Sequence, residues 1–86
     1  MANSASQRKR NARTERERRE NRRFVSAVKT QFRRLEEAVG SGDAAKADTE
    51  HKTLISKIDK AVQKGALHKN TGARRKSRAA RVRARV

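Results

Sequence analysis

The stretch FVSAVKTQFRRLEEAVGSGD, residues 24–43, decides the fold of this chain. Its large apolar residues recur every three or four positions, the period of one face of an α-helix, at Phe24, Val28, Phe32, Leu35 and Val39. Gly40 and Gly42 then interrupt the pattern, and Asp43 is a good N-cap for a following helix. The stretch therefore predicts an amphipathic helix, a tight turn and the start of a second helix.

The sequence on either side of this stretch also predicts helix. Proline is absent from the 86 residues, so glycine is the main residue that interrupts helical segments. Gly65 lies where the C′ residue of a second helix is expected. No run of alternating apolar residues is long enough to predict a strand. We therefore predict an all-α chain with three helices, at about residues 5–39, 44–64 and 69–84.

The three predicted helices differ in how much apolar surface they carry. Ten of the 13 Leu, Ile, Val and Phe residues lie in residues 24–62, so a small core is expected only there. The second helix has an apolar face on which His51 is expected to be packed and hydrogen-bonded, and an ordinary solvated face that includes Lys57 and Lys60. The third helix is expected to pack through small residues, namely Ala66, Ala73, Ser77, Ala80 and Ala84.

The positive charge is concentrated at the two ends of the chain. The formal net charge is +16, of which residues 1–23 carry +6, residues 24–63 carry +1 and residues 64–86, which contain no Asp or Glu, carry +9. Such blocks repel themselves unless a polyanion neutralises them, so nucleic acid is the expected partner. Phe24 and Phe32 are the only aromatic residues. Their scarcity favours a structured, helical ligand over a single strand stacked on exposed rings.

Other functional classes have little support in the sequence. There is no cysteine and no glycine-rich phosphate loop, and neither histidine has an evident carboxylate partner nearby, so no enzyme activity, metal or cofactor is expected. No apolar run approaches the ~7–15 residues of a signal-peptide core, which favours a cytoplasmic protein. A cationic membrane-active helix is disfavoured because residues 1–23 lack a broad apolar face. A general DNA-compacting nucleoid protein is the alternative, because charge alone would serve it equally well.

The first helix carries a stripe of candidate RNA-binding residues opposite its apolar face. Arginine forks and short hydroxyls are the side chains that contact phosphates and ribose 2′-hydroxyls. Because residues 1–23 have no apolar stripe, we expect them to be largely disordered in the free protein and to become helical on RNA. The residues of the stripe, with two arginines beside it, are Arg8, Arg16, Arg19, Arg22, Arg23, Ser26, Thr30, Arg33 and Arg34.

A second candidate segment lies around Gly65, from Lys64 to Asn70. The turn before the third helix concentrates polar residues that could bind a phosphate or a base edge, or could simply connect two helices; its members are Lys64, His68, Lys69 and Asn70. We expect Ala substitution of Lys69 and Asn70 to weaken specific RNA binding more than Ala substitution of Lys57 and Lys60. The third helix adds further cationic candidates at Arg74, Arg75, Lys76, Arg78 and Arg81.

The order of the residues is more specific than their composition. The segment KGALHKNTGARRKSRAAR, residues 64–81, closely resembles the signature of the bacterial small-subunit ribosomal protein S20 family. In that signature His-Lys-Asn leads into a basic helix with the pattern Ala-Arg-x-Lys-Ser-Arg. The resemblance covers essentially the full chain, since it extends to Met1-Ala2-Asn3, Ser6, Lys9-Arg10, Asn21, Ser26, Lys29-Thr30 and Gly42-Asp43.

The resemblance implies a fold and a function. The fold is a three-helix up-and-down bundle with an extended N-terminal helix, forming one RNA-binding domain over residues 1–86. The function is that of a non-enzymatic constituent of the small ribosomal subunit, located with other ribosomal components in the cytoplasm. It would bind 16S ribosomal RNA directly, at the 5′ domain and the long penultimate stem, and hold RNA helices together during assembly. The resemblance adds Ser6, Lys9, Arg10, Asn21, Lys29 and Ser77 to the candidate RNA-binding residues, and Arg13 is a further candidate in the same basic N-terminal segment.

Two residues depart from the family pattern. Gly72 stands where Ala is more frequent in the family, and this is expected to weaken the start of the third helix by ~1 kcal/mol. Ala79 replaces a more usual Leu and is expected to remove an apolar anchor. Both departures predict looser packing of the third helix, and neither changes the polar residues expected to contact RNA.

Overall fold

The computed structural model describes residues 4–86, with side chains described from Arg8 onward. In chain order the helices are α1 (Ser4–Gly40), α2 (Ala44–Gln63) and α3 (Lys69–Arg83), and no strand occurs in this range. Each bound lies within one residue of the helix predicted from the sequence. The all-α, three-helix fold class is therefore confirmed.

Consecutive helices run antiparallel, which is the up-and-down arrangement. Between α1 and α2, Gln31 contacts Glu50 whereas the earlier Phe24 lies under the later Lys60. Between α2 and α3 the order is also reversed, because Asp48 pairs with Arg83 and Asp59 pairs with the earlier Lys76. The three helices all contact one another.

Both interhelical turns are built on a glycine with positive φ. At the end of α1, Gly42 has φ 75°, the Asp43 N–H donates to the Ala38 carbonyl at 3.2 Å, and the Asp43 carboxylate caps α2 by accepting from the Lys46 N–H at 3.0 Å. Gly65 has φ 77°, and the following amide donates to the Ala61 carbonyl at 2.8 Å. These are the hydrogen bonds of Schellman motifs, which explains why the turns occur where the glycines predicted them.

The hydrophobic core lies in the centre of the chain, as its apolar composition predicted. The large residues Leu35, Leu54 and Ile58 are completely buried between the helices. The other buried apolar residues are Val28, Phe32, Ala38, Ala47, Ala61, Ala79 and Val82, and Phe24, Val39, Ile55, Ala66 and Leu67 pack against them. His51 is half-buried on the apolar face of α2, as predicted. Its Nε2 is buried but forms no hydrogen bond within the described residues, so the prediction of a hydrogen-bonded histidine is wrong for this atom.

The face of α3 that packs on the bundle differs from the predicted one. Ala73, Ser77, Ala80 and Ala84 are all exposed, and the buried residues are Gly72, Ala79 and Val82. A Cβ at Gly72 would lie 2.5 Å from Cγ2 of Val62, so the missing side chain allows α3 to approach α2 closely. Gly72 and Ala79 are therefore packing residues in this chain, and the expectation that they weaken α3 stays a prediction.

A buried polar side chain joins α1 to α2. Gln31 is only 1% exposed, and its Nε2 donates both to the Glu50 carbonyl at 3.2 Å and to the Glu50 carboxylate. Its Oε1 accepts from the Lys57 ammonium at 3.4 Å. The amide is thus hydrogen-bonded at both ends, as a buried polar group needs to be. Glu50 and Lys57 are half-buried as a result, and not part of a simply solvated face of α2.

The N-terminal part of α1, residues 8–20, extends beyond the bundle, and we call this segment the overhang. With 37 residues α1 is about 55 Å long, whereas the 20 residues of α2 span about 30 Å. The molecule measures 63 × 20 × 13 Å accordingly. Residues 8–20 are exposed except for Thr14, whose hydroxyl donates to the Arg10 carbonyl of the same helix. The extended N-terminal helix is therefore confirmed.

Candidate nucleic-acid interface

The candidate residues on α1 form an exposed cationic surface that runs from the overhang onto the bundle. Asn21 is half-buried, and Ser6 lies outside the residues whose side chains the structure describes. All the others are exposed: Arg8, Lys9, Arg10, Arg13, Arg16, Arg19, Arg22, Arg23, Ser26, Lys29, Thr30, Arg33 and Arg34. An RNA helix lying along α1 would therefore meet guanidinium, ammonium and hydroxyl groups along most of the length of the helix.

Few protein contacts neutralise this α1 surface. The Arg13 Nε lies 3.2 Å from Glu17 Oε1 in an exposed i,i+4 pair, the type that contributes only ~0.3–0.5 kcal/mol to a helix. Within residues 8–86 no other arginine or lysine of α1 forms an ion pair. Most of the cationic groups on α1 are therefore available to phosphates.

The turn before α3 combines a structural histidine with two exposed polar residues. His68 is the N-cap of α3, and its Nδ1 accepts a hydrogen bond from the Asn70 N–H at 3.1 Å. This supports the connecting role for His68, one of the two roles that the sequence left open. Lys64, Lys69 and the Asn70 side chain are exposed beside it. The first turn of α3, where backbone N–H groups lack helical partners, lies at the same end and favours anions.

The cationic residues of α3 divide into exposed residues and residues held by the bundle. Arg74, Ser77 and Arg81 are exposed. Lys76 is half-buried and pairs with Asp59 of α2. Arg75 is also half-buried, and its Nε is buried without a hydrogen bond inside the described residues.

Arg78 connects α3 to α1. Its guanidinium lies over the Phe32 ring, 4.9 Å from the centroid, and 4.0 Å from Glu36 Oε1. A guanidinium stacked on an aromatic ring has its planar orientation fixed while its N–H groups still face outward. Arg78 is mostly exposed, so the stacking positions it for a ligand without removing it from solvent.

Sequence reasoning missed Arg18 as a binding candidate. Arg18 is exposed, and it lies beside Asn21 and Arg22 along a shallow groove of about 390 Å³ that continues to Val25, Ser26 and Lys29. Its spacing of four from Arg22 and of eight from Ser26 was the signal that could have identified it.

The sequence assigned Lys57 and Lys60 to an ordinary solvated face of α2, where Lys60 is exposed but Lys57 is half-buried. They line a cavity of about 600 Å³ between α1 and the end of α2, which we call the α1–α2 cleft. Its lining residues are Glu20, Arg23, Phe24, Ala27, Lys57, Lys60 and Lys64. The spacing of Lys57, Lys60 and Lys64 by three and four marks one helix face, but the pattern alone did not show that α1 lies opposite.

The described residues contain no group of three or more His, Asp or Glu side chains arranged to hold a metal ion. None of the helices in the described range is long and apolar enough to cross a membrane.

Comparison with known proteins gives a consistent result. Residues 2–83 match the family described as Ribosomal protein S20. Relatives named small ribosomal subunit protein bS20 are 49% identical in Koribacter versatilis (100% of this chain, 98% of the relative), 50% in Prochlorococcus marinus strain NATL1A (91% and 87%) and 46% in Streptomyces griseus (90% and 88%). The matches span nearly the whole of both chains, and the family resemblance inferred from residues 64–81 is confirmed.

Proposed function

The chain belongs to the ribosomal protein S20 family, and we propose that it binds small-subunit (16S) ribosomal RNA directly, as one helical domain over residues 1–86. Membership of this family makes it a structural component of the small ribosomal subunit and not an enzyme. In bacteria its location is therefore the ribosome in the cytoplasm, and its partners are ribosomal RNA and ribosomal proteins.

The exposed cationic overhang of α1 is the observation that carries the proposal for RNA. Residues 8–23 hold nine Arg or Lys against three Glu, and they lie on a helix that projects beyond the hydrophobic core. Because a free helix of this charge repels itself, it gains stability when phosphates neutralise it. A long RNA helix is a ligand that offers phosphates over that length.

The second part of the proposal is that the chain holds separate RNA helices together during assembly. The α1 surface would bind one RNA helix. A second RNA helix would bind what we call the α3 surface, which consists of the exposed Lys69, Asn70, Arg74 and Arg81 and the stacked Arg78. The 5′ domain and the long penultimate stem are the proposed partners. RNA shape would set the specificity, since an α-helix enters the deep, narrow groove of A-form RNA poorly.

A competition experiment tests the proposal. The purified chain is bound to a 5′-domain ribosomal RNA fragment and challenged with duplex DNA from about 50 to 300 mM salt, because salt weakens non-specific phosphate contacts steeply. We expect a preference for the RNA that persists at the highest salt. If both nucleic acids are lost along one salt slope, direct specific binding is refuted and the DNA-compacting alternative is favoured.

A pair of variants locates the second surface in the same assay. We expect Lys69→Ala with Asn70→Ala to weaken binding to the RNA fragment more than Lys46→Ala with Lys52→Ala. The control lysines are exposed on α2 and do not line the α1–α2 cleft, whereas Lys57 and Lys60 do. Equal losses would mean that bulk charge alone is recognised.

A further inference from the structure

We propose that the α1–α2 cleft is a third RNA contact, a site for backbone phosphates that adjoins the α1 surface. The inference rests on the proposed RNA-binding function and assigns new residues to it, chiefly Lys57 and Lys60. Four of the residues that line the cleft are cationic, and Glu20 is the one carboxylate among them.

The cleft cations lack protein counter-ions. On the opposite side of the bundle, Glu36, Asp48 and Asp59 each pair with a cationic residue of α3. Within residues 8–86, Arg23, Lys57, Lys60 and Lys64 form no ion pair. The bundle therefore neutralises α3 in part and leaves the cleft side electropositive, so an anion that enters the cleft relieves the repulsion between these groups.

Two of the lysines contact residues of α1. The Lys57 ammonium donates to Oε1 of the buried Gln31 at 3.4 Å, and the Lys60 ammonium lies 6.0 Å from the centroid of the Phe24 ring. Lysine side chains that are already ordered lose less conformational entropy when they bind a phosphate. Gln31 thus acts as a positioning residue for Lys57, and Phe24 forms the apolar wall beside Lys60.

The size and position of the cleft fit a nucleic-acid backbone. Its volume of about 600 Å³ falls within the ~300–1,000 Å³ of ligand sites, and it exceeds what one phosphate group would fill. Arg23 belongs both to the cleft and to the predicted stripe of α1, so a strand could pass from one surface to the other. These features favour consecutive phosphates of the same RNA over a free anion.

The salt dependence of RNA binding tests the cleft. Each lysine that neutralises a phosphate adds about 1 to the slope of log K against log salt. We expect Lys57→Gln with Lys60→Gln to lower the slope on the 5′-domain RNA fragment by about 2. The control, Lys46→Gln with Lys52→Gln, removes the same charge from the same helix and is expected to leave the slope at the wild-type value.

A single variant leaves the lysines and their contacts unchanged. Glu20 lines the cleft and forms no ion pair within the described residues. Removing Glu20 takes a repulsive charge away from the proposed phosphate path. We therefore expect Glu20→Gln to tighten RNA binding at each salt concentration.

The outcomes separate this inference from the proposed function. Equal slopes for the cleft and control lysine pairs, or RNA binding that Glu20→Gln does not tighten, overturn the cleft as an RNA site. In that case the wild-type chain still prefers the RNA fragment over duplex DNA. A wild-type chain without that preference refutes the proposed function itself, whatever the variants do.

Discussion

Replacing Gly72 by Ala is predicted to destabilise the fold, although the change improves the helix propensity of α3. In an unobstructed helix the substitution would stabilise by ~1 kcal/mol. Here the new Cβ would lie 2.5 Å from Cγ2 of Val62, closer than real Cβ contacts allow. Overpacking of this kind typically costs ~1–3 kcal/mol. The β-branched Val62 side chain cannot easily turn away, so the steric term is expected to exceed the propensity term.

We expect Gly72→Ala to lower the free energy of unfolding by about 1 kcal/mol, which corresponds to ~4–8 °C in Tm for a chain of this size. Thermal and urea unfolding followed by far-UV circular dichroism measure this difference. The matched background is Val62→Ala, which removes the methyl group that the new Cβ would strike. In that background Gly72→Ala is expected to stabilise by up to ~1 kcal/mol.

The double-mutant cycle between positions 62 and 72 isolates the steric term from the propensity term. A coupling free energy of at least 1 kcal/mol is expected, with the sign that makes the two substitutions compensate. If Gly72→Ala stabilises the otherwise unchanged chain by ~1 kcal/mol, the conclusion that α3 approaches α2 too closely to accommodate a Cβ at position 72 is refuted. The sequence-based interpretation of Gly72 as a weakness in α3 would then be the correct one.

Two further predictions concern α1. Gln31→Ala is expected to destabilise the fold by ~1–3 kcal/mol, because it removes buried hydrogen bonds to Glu50 and leaves a cavity; urea unfolding measures this, and the exposed Gln63→Ala, expected to be nearly neutral, is the control. Backbone amides of residues 8–19 are expected to exchange hydrogen much faster than those of residues 28–38 in the free chain, and to become protected on RNA. Strong protection of residues 8–19 without RNA would contradict the prediction that this segment depends on its ligand.

The sequence predicted the helices well because strong local signals mark their ends. Gly42 and Gly65 adopt positive φ, and Asp43 caps α2, and each of these roles depends on only a few neighbouring residues. The core residues of α1 and α2 followed from apolar periodicity for the same reason. Buried Gln31 was missed because the pattern considered only apolar residues, although its position between Val28 and Leu35 places it on the same face.

The packing face of α3 could not be predicted from periodicity. Val82 is its one large buried residue, so the apolar pattern hardly indicated which face of α3 is buried. Small residues on two faces of the helix were equally plausible contacts. The buried face of α3 is determined by its close approach to α2 at Gly72, and this approach depends on the position of Val62 in α2. The α1–α2 cleft was missed for a related reason. Lys57 and Lys60 line a cleft only because α1, with Phe24 and Gln31, packs opposite them, and the sequence pattern of α2 does not show this packing.

The buried Gln31 also fixes the axial position of α1 against α2, and with it the distance between the two cationic surfaces of the chain. The apolar stripe of α1 repeats along the helix axis, so hydrophobic contact alone would tolerate a slip of one turn, about 5.4 Å, against α2. Such a slip would separate Gln31 from the Glu50 carbonyl and leave a buried amide without partners. The hydrogen bonds of Gln31 therefore fix the position of α1 along the axis of α2. They fix how far the arginines of the overhang stand from those of α3, and so how far apart two RNA helices bound by one chain would be held.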